Sequence, residues 1–419
     1  MPVPFPTDPR PGRPRLLFVG HGESSHTHSW IDLLEGADFN VRLFATPSGT
    51  APPDSWPVRT YVTAFTPGPL DPATRARMHS QSRALRFARR VAARATGADP
   101  APSPARWLAQ VVREWRPDIV HTFGLDSGDF YTGALRRFGP APAPAPAWVL
   151  QTRGGSDLAL AHLDPVARVK IGELMRACDR LLSDNLVNFR IARELGVAEE
   201  QLADIAPVPG TGGVDVDALA ALRRGAPSAS RTILWPKAYE CPWSKSLPVF
   251  EALKAAWERI QPCEVVMLAV DPETRSWYRT LPAHMRERCH AHERIPRARA
   301  LELMTGARVV LAPSLVDGVP NSMYEAMAVG AFPIVSPLDT IRPVVEDGRN
   351  VLFARNLHPE ELAAALVRAM NDGAFVDSAA RENLALVRRV ADRREIRARV
   401  LDFYEGLAAR GRRGARGAA

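Results

Sequence analysis

Lysine is scarce in this chain. Of the 54 basic residues in 419, four are Lys (Lys170, Lys237, Lys245 and Lys254) and the rest are Arg. Arg dominance alongside abundant Ala and Pro is a compositional background. Against it the pairing of Lys237 with Lys245, within nine residues of each other, stands out. Cysteine is almost as rare: Cys178, Cys241, Cys263 and Cys289 are far apart and form no CxxC pair. That excludes a zinc knuckle and a disulfide framework. Long apolar runs are missing too. Nothing approaches the roughly 20 uncharged apolar residues of a membrane span, and the Pro-rich start MPVPFPTDPRPGRPR holds no segment of signal-peptide length. The expectation is a cytoplasmic protein, at most touching the inner membrane surface. A net charge of +8 and a pI near 9.7 invite an anionic partner. The basic residues are nevertheless spread over both halves without a recognition motif, so no nucleic-acid partner is expected.

What is present is alternation. RLLFVG (Arg15 to Gly20), VRLFA (Val41 to Ala45), DIVHTF (Asp118 to Phe123), WVLQT (Trp148 to Thr152) and RLLSD (Arg180 to Asp184) are short apolar runs separated by helix-length intervals. The pattern breaks at RRGAPSAS (Arg223 to Ser230) and restarts with TILWPK, EVVMLAV, ARVVLAP and FPIVS. Apolar strands of this kind, spaced by helices, predict parallel sheets covered on both faces. The length suits two domains of about 200 residues. We therefore expect an α/β protein of two doubly wound domains, 1–226 and 227–391, with a last helix over about 392–410 packing back on the first.

The densest signal is LVDGVPNSMYEAMAVG, Leu315 to Gly330, between ARVVLAP and FPIVS. A helix over SMYEAMAV would be stopped by Gly330 in the left-handed region. The loop before it would lie beyond a strand's carboxyl end, where open α/β sheets bind ligands. The helix N-terminus suits a phosphate or diphosphate, and Asp317 and Glu325 could accept hydrogen bonds from hydroxyls on either side of it. A second reading fits the same spacing: Ser322 and Glu325 form a Ser-x-x-Glu capping box, and Asp317 an ordinary Asp-Gly turn.

The segment PSLVDGVPNSMYEAMAVGAFPIVSPLDTIRPVVEDGRNVLF resembles the signature region of retaining GT-B glycosyltransferases of glycosyltransferase family 4. There an acid is followed after seven residues by Glu, as Asp317 is by Glu325. PDIVHTF, TRGGSDLAL, the GVD near residue 214 and TILWPK ahead of Lys245 extend the resemblance over most of the chain. It implies two Rossmann-like domains flanking a cleft, a nucleotide diphosphate sugar as donor and a hydroxyl acceptor. Donor binding would fall to the second domain, at Gly318, Val319, Pro320, Asn321, Ser322, Arg294 and Ile295, with close backbone approach at Gly22 of the first. Catalytic roles would fall to Asp317, Glu325, Lys237 and Lys245, the lysines gripping the diphosphate, and His26, Arg153 and Asp157 would contact sugar or acceptor. Two positions depart from the family: Asp317 replaces its usual Glu, and Arg153 stands where many members carry His. They keep open the alternative of a sugar-nucleotide-binding protein impaired in transfer.

No cofactor or metal is expected. DVD (Asp215 to Asp217) mimics a metal motif but matches the family's interdomain connection, and His21, His26 and His28 are read as loop histidines and not as metal ligands. GHGESSH after the first strand lacks the third Gly of a dinucleotide fingerprint. A basic helical stretch carrying Arg83, Arg86, Arg90 and Arg94 offers a surface for a phosphorylated acceptor or an anionic membrane.

Overall fold

The computed structural model describes residues 4–417 apart from 49, 65, 67, 79–86, 89–90, 93–94 and 96–102. The basic stretch with Arg83, Arg86, Arg90 and Arg94 lies outside the described residues. Two sheets, all parallel, organise the rest. The first contains β1 (Arg15–Gly20), β2 (Asn40–Ala45), β3 (Arg59–Val62), β4 (Arg75–Arg77), β5 (Ile119–Phe123), β6 (Ala147–Thr152) and β7 (Arg180–Ser183), in the order β4-β3-β2-β1-β5-β6-β7. The second contains β8 (Thr232–Trp235), β9 (Glu264–Met267), β10 (Cys289–Ala291), β11 (Val309–Ala312), β12 (Phe332–Val335) and β13 (Leu352–Phe353), in the order β10-β9-β8-β11-β12-β13. The expected two-domain, doubly wound α/β architecture is what the chain adopts.

Central strands are buried on both faces. β5 and β11 contain no exposed position, because helices cover each side and the strand sequence runs apolar without alternation. Each sheet accordingly has two apolar clusters, one per face. Four strands escaped the sequence reading: β3, β4, β10 and β13, all four residues or fewer. Charge disguises β4, which opens on a buried Arg as β2 holds one within it. Arg42 and Arg75 are 2% and 4% exposed, and their guanidinium groups donate to the Tyr61 hydroxyl and the carbonyls of Phe5, Pro53, Trp56 and Val58. Buried charge survives there because the terminal nitrogens of both groups are satisfied, each Nε alone being left without a partner.

The chain crosses between sheets twice, and the crossings are tied. Val214 N–H donates to the Ala391 carbonyl at 2.9 Å and Arg393 N–H to the Val214 carbonyl at 3.0 Å. Gly213, at φ +81, has no room for a side chain: a Cβ would stand 2.5 Å from the Ala391 oxygen. Val214, Val216 and Leu219 pack in a cluster of the second sheet. The last helix, Arg393–Gly417, sends Ile396, Val400, Phe403, Tyr404 and Leu407 into the core of the first sheet beside Leu16, Phe18 and Ile119. Among the described residues no helix is long and apolar enough to cross a membrane.

Candidate active site between the two sheets

Strand order reverses direction at β1/β5 in the first sheet and at β8/β11 in the second. Such switch points leave a crevice at the strands' carboxyl ends, the usual ligand position in open α/β sheets. The loops leaving these strands meet in a cleft of about 1120 Å³ lined from both domains.

On the second-domain wall, Lys237 follows β8 and Asp317 follows β11. Lys237 Nζ lies 3.0 Å from Asp317 Oδ2, while Asp317 Oδ1 accepts from Gly318 N–H at 2.9 Å. Burial pulls the Lys237 ammonium down, but Asp317, Tyr239 and Glu325 outweigh it and its pKa is raised, so the group stays charged. The helix Asn321–Val329 begins at Pro320 with no side-chain cap and ends at Gly330 at φ +87. The capping-box reading of Ser322 and Glu325 therefore does not apply. Ser322 Oγ is buried and without a hydrogen-bond partner, and Glu325 Oε1 instead receives both Nε and Nη2 of Arg297, at 3.1 and 2.5 Å. Val319, Pro320, Asn321, Ser322, Arg294, Ile295 and Glu325 all line the cleft. An uncapped helix end with an unpartnered hydroxyl is a place built for an anion's oxygens.

On the first-domain wall burial governs the chemistry. The Arg153 guanidinium lies over the Phe123 ring, 4.1 Å from its centroid, and its Nε and Nη2 are buried without partners. Burial brings its pKa down to about 10, against the pull of Asp184 and Asp157. Asp184 accepts from Gly154 N–H at 3.2 Å and Asn185 Nδ2 at 2.7 Å, yet burial, with Asp317 adding repulsion, raises its carboxyl to about 6. His26 is pushed down to about 4 by burial, then by Arg153 and Lys237, so its imidazole is neutral at pH 7. Unmet donors on a buried guanidinium are costly, which makes this wall receptive to ligand oxygens.

Several sequence expectations take a different physical form. Gly318 is a point of close approach, but to the other domain: a Cβ there would stand 2.4 Å from Asp184 Oδ2 and 2.9 Å from Gly154 Cα. Gly22 is closed by its own chain, a Cβ meeting the Thr50 carbonyl at 2.3 Å, and it is not part of the cleft lining. Lys245 is held outside the lining as well, with Nζ 2.8 Å from Glu240 Oε1. Asp157 accepts from the Leu125 and Arg153 N–H groups and faces a neighbouring cavity. Asp215 caps the helix Val216–Ala221 while Asp217 pairs with Arg388 and Arg394, so the DVD carboxylates serve separate tasks. The three early histidines diverge: His21 pairs with Asp126 outside the cleft lining, His28 contacts the Gly22 carbonyl and stacks on Trp56, and His26 and His28 both line the cleft. Among the described residues the cluster with metal-ligand spacing is His358, Glu360 and Glu361, away from the cleft.

Several cleft residues went unread in the sequence, Asp184 and Arg297 among them. Asp184 counts there as the end of a strand, and an acid at a strand's carboxyl end was signal enough to nominate it. Arg297 is one arginine among many, and no local pattern distinguishes it.

Comparison with known proteins follows the same division. Residues 241–372 match the family described as Glycosyl transferases group 1. No curated protein sequence matches the chain. Among solved structures, the sucrose-phosphate synthase of Thermosynechococcus elongatus is similar at 16% identity and TM-score 0.65, covering 95% of this chain and 100% of that one. The Anabaena protein HepE, in complex with UDP-glucose, is similar at 13% identity and TM-score 0.66, covering 94% and 99%. The α,α-trehalose 6-phosphate synthase of Burkholderia multivorans is similar at 14% identity and TM-score 0.66, covering 95% and 98%. The fold is GT-B, with two Rossmann-like domains about a cleft.

Proposed function

We propose that this protein is a retaining, metal-independent hexosyltransferase of glycosyltransferase family 4. It takes a sugar from a nucleotide diphosphate donor to a hydroxyl acceptor, in the cytoplasm. One observation carries the reading: Lys237, the uncapped helix end with its unpartnered Ser322 hydroxyl, and the carboxylates Asp317 and Glu325 converge on a cleft whose opposite wall holds Arg153 and His26. The match of residues 241–372 to the group 1 glycosyl transferases takes in Asp317, Ser322 and Glu325 and begins just after Lys237, and a neighbour of the same fold holds UDP-glucose.

In this reading the diphosphate lies on the helix N-terminus near Lys237, which offset the negative charge that grows as the bond to the sugar breaks. Glu325 accepts from the ribose hydroxyls in place of Arg297, and Asp317 orients the sugar. The acceptor oxygen bonds to the anomeric carbon on the face the phosphate leaves. The carbon–phosphate oxygen bond breaks with its electron pair, and the acceptor's proton passes to a leaving phosphate oxygen. No side chain serves as a covalent nucleophile. A thermal-shift panel of nucleoside diphosphates and their sugars tests this, because a ligand bound to the folded state alone raises stability with the logarithm of its concentration over Kd. At least one is expected to raise Tm at millimolar levels. A flat panel refutes the proposal.

A further inference from the structure

A second cavity, of about 650 Å³, opens beside the cleft at the carboxyl ends of β1, β5 and β6. Its walls differ in kind. Phe123, Leu125, Ala161, Ile171 and Leu174 make them largely apolar. Ala167, Lys170, Ile171 and Leu174 recur at helical spacing along one face of the helix Pro165–Arg176. The same helix and the turn before it present Leu163 and Val166 to solvent, 66% and 68% exposed, so apolar surface continues past the rim. Single exposed apolar residues are ordinary; two beside an apolar chamber extend it.

The polar lining carries no surplus positive charge. Asp126, Asp129 and Asp157 stand against His21, Lys170 and Arg153. His21 Nε2 is held 3.2 Å from Asp126 Oδ2, and Asp157 is committed to two backbone N–H groups. Arg153 already faces Asp157 and Asp184. It lines both this cavity and the cleft, and its buried, unpartnered Nε and Nη2 are hydrogen-bond donors at the shared wall. A phosphate dianion in this chamber would meet three carboxylates, against which Lys170 at the rim is a lining cation without an ion pair among the described residues. An uncharged molecule would bury an apolar body against Phe123, Leu125 and Ile171 and keep one oxygen for Arg153, the combination usual in small-molecule sites.

We propose that this chamber is the acceptor site and that the acceptor is an uncharged hydroxyl compound with an apolar body, an aryl or alkyl alcohol, in preference to a sugar phosphate. The inference rests on the transferase reading above and adds the substrate class. Arg153 marks where the acceptor oxygen and the donor meet.

Isothermal titration of the full chain with 2-naphthol and with glucose 6-phosphate tests it, in the presence of whichever nucleoside diphosphate raises Tm. 2-Naphthol is expected to bind at least tenfold more tightly than glucose 6-phosphate. Ala167→Trp, which fills the chamber, is expected to weaken 2-naphthol at least tenfold while leaving the nucleotide-induced Tm shift intact; Ala167→Gln, less bulky, serves if the Trp variant does not fold. Tighter binding of glucose 6-phosphate, or 2-naphthol binding indifferent to both variants, overturns the acceptor assignment. Absence of any nucleotide shift sinks the transferase reading instead, and titration without nucleotide then still reports on the chamber.

Discussion

The two walls of the cleft reach a charged surface by opposite means. On the second-domain side, charges meet in pairs: Lys237 with Asp317, and Arg297 with Glu325. On the first-domain side, charges are taken out of water and left partly unmatched. Asp184 and Asp157 are both raised to about 6, His26 falls to about 4 and Arg153 to about 10, with burial the largest cause in each case. Lys237, its pKa raised by Asp317 against the pull of burial, stays charged and can meet an anion. Desolvated groups have uncertain allegiance to charge and respond to whatever enters. In the proposed reading, a wall of paired charges facing one where Arg153 keeps unpartnered donors suits a cleft that holds one charged substrate and admits one that is neutral.

Removing a pair from the donor wall is expected to produce the largest effect. Lys237→Ala takes away the leaving group's nearest ammonium and strands Asp317, and should lower kcat on the order of 10² to 10³-fold, about 3–4 kcal/mol of transition-state stabilisation. Steady-state kinetics with circular dichroism to verify the fold would measure it. Activity near that of the unmodified protein would place the charge elsewhere.

Altering the acceptor wall should show in stability. Asp184 has a folded pKa of about 6 against 3.8 for an aspartate carboxyl in water. Between those values the folded state binds more protons than the unfolded one, so stability falls as pH rises from about 4 to about 6. His26 runs the other way, since its folded value near 4 lies below 6.5 and its contribution grows with pH over about 4 to 6.5. The two offset each other, and only a difference isolates one. Asp184→Asn, which keeps an acceptor for Gly154, should remove the Asp184 part, an effect of about 2 kcal/mol between pH 4.5 and 7. Urea midpoints of both proteins at the two pH values measure it. Parallel pH profiles would contradict the burial of that carboxylate.

The smallest effect sharpens the contrast between the lysines. Lys245 pairs with Glu240 outside the cleft lining, so in this arrangement Lys245→Ala should change turnover about threefold or less, in keeping with a surface pair. A loss equal to that of Lys237→Ala would mean that the loop rearranges to bring Lys245 to the diphosphate, the position its spacing suggests.

Much of the architecture could be read from residues alone. Apolar strand runs such as RLLFVG and FPIVS match β1 and β12 almost to the residue, because a strand buried on both faces writes its position locally. The loop after β11 was equally legible: an Asp-Gly turn, a helix and its Gly330 stop are contiguous. Edge strands β4 and β13, of three and two residues, left no periodicity to find. Arg42 and Arg75 read as solvent-facing until the carbonyls that satisfy them are seen. Gly318 was readable as a close approach, though nothing local says that the neighbour it admits is Asp184, 134 positions away in the chain.

Sequence by itself determined two parallel-sheet domains and a ligand loop with its acids in register, since strand burial, helix stops and spacing are properties of consecutive residues. Tertiary structure alone decided that Arg153, Asp184 and His26 share a cleft with Lys237 and Asp317, and that one wall buries a carboxylate and leaves guanidinium donors unpartnered where the other pairs its charges. Proximity across a cleft and removal from water arise only when distant segments pack, and it is packing that sets both the charges and what they can hold.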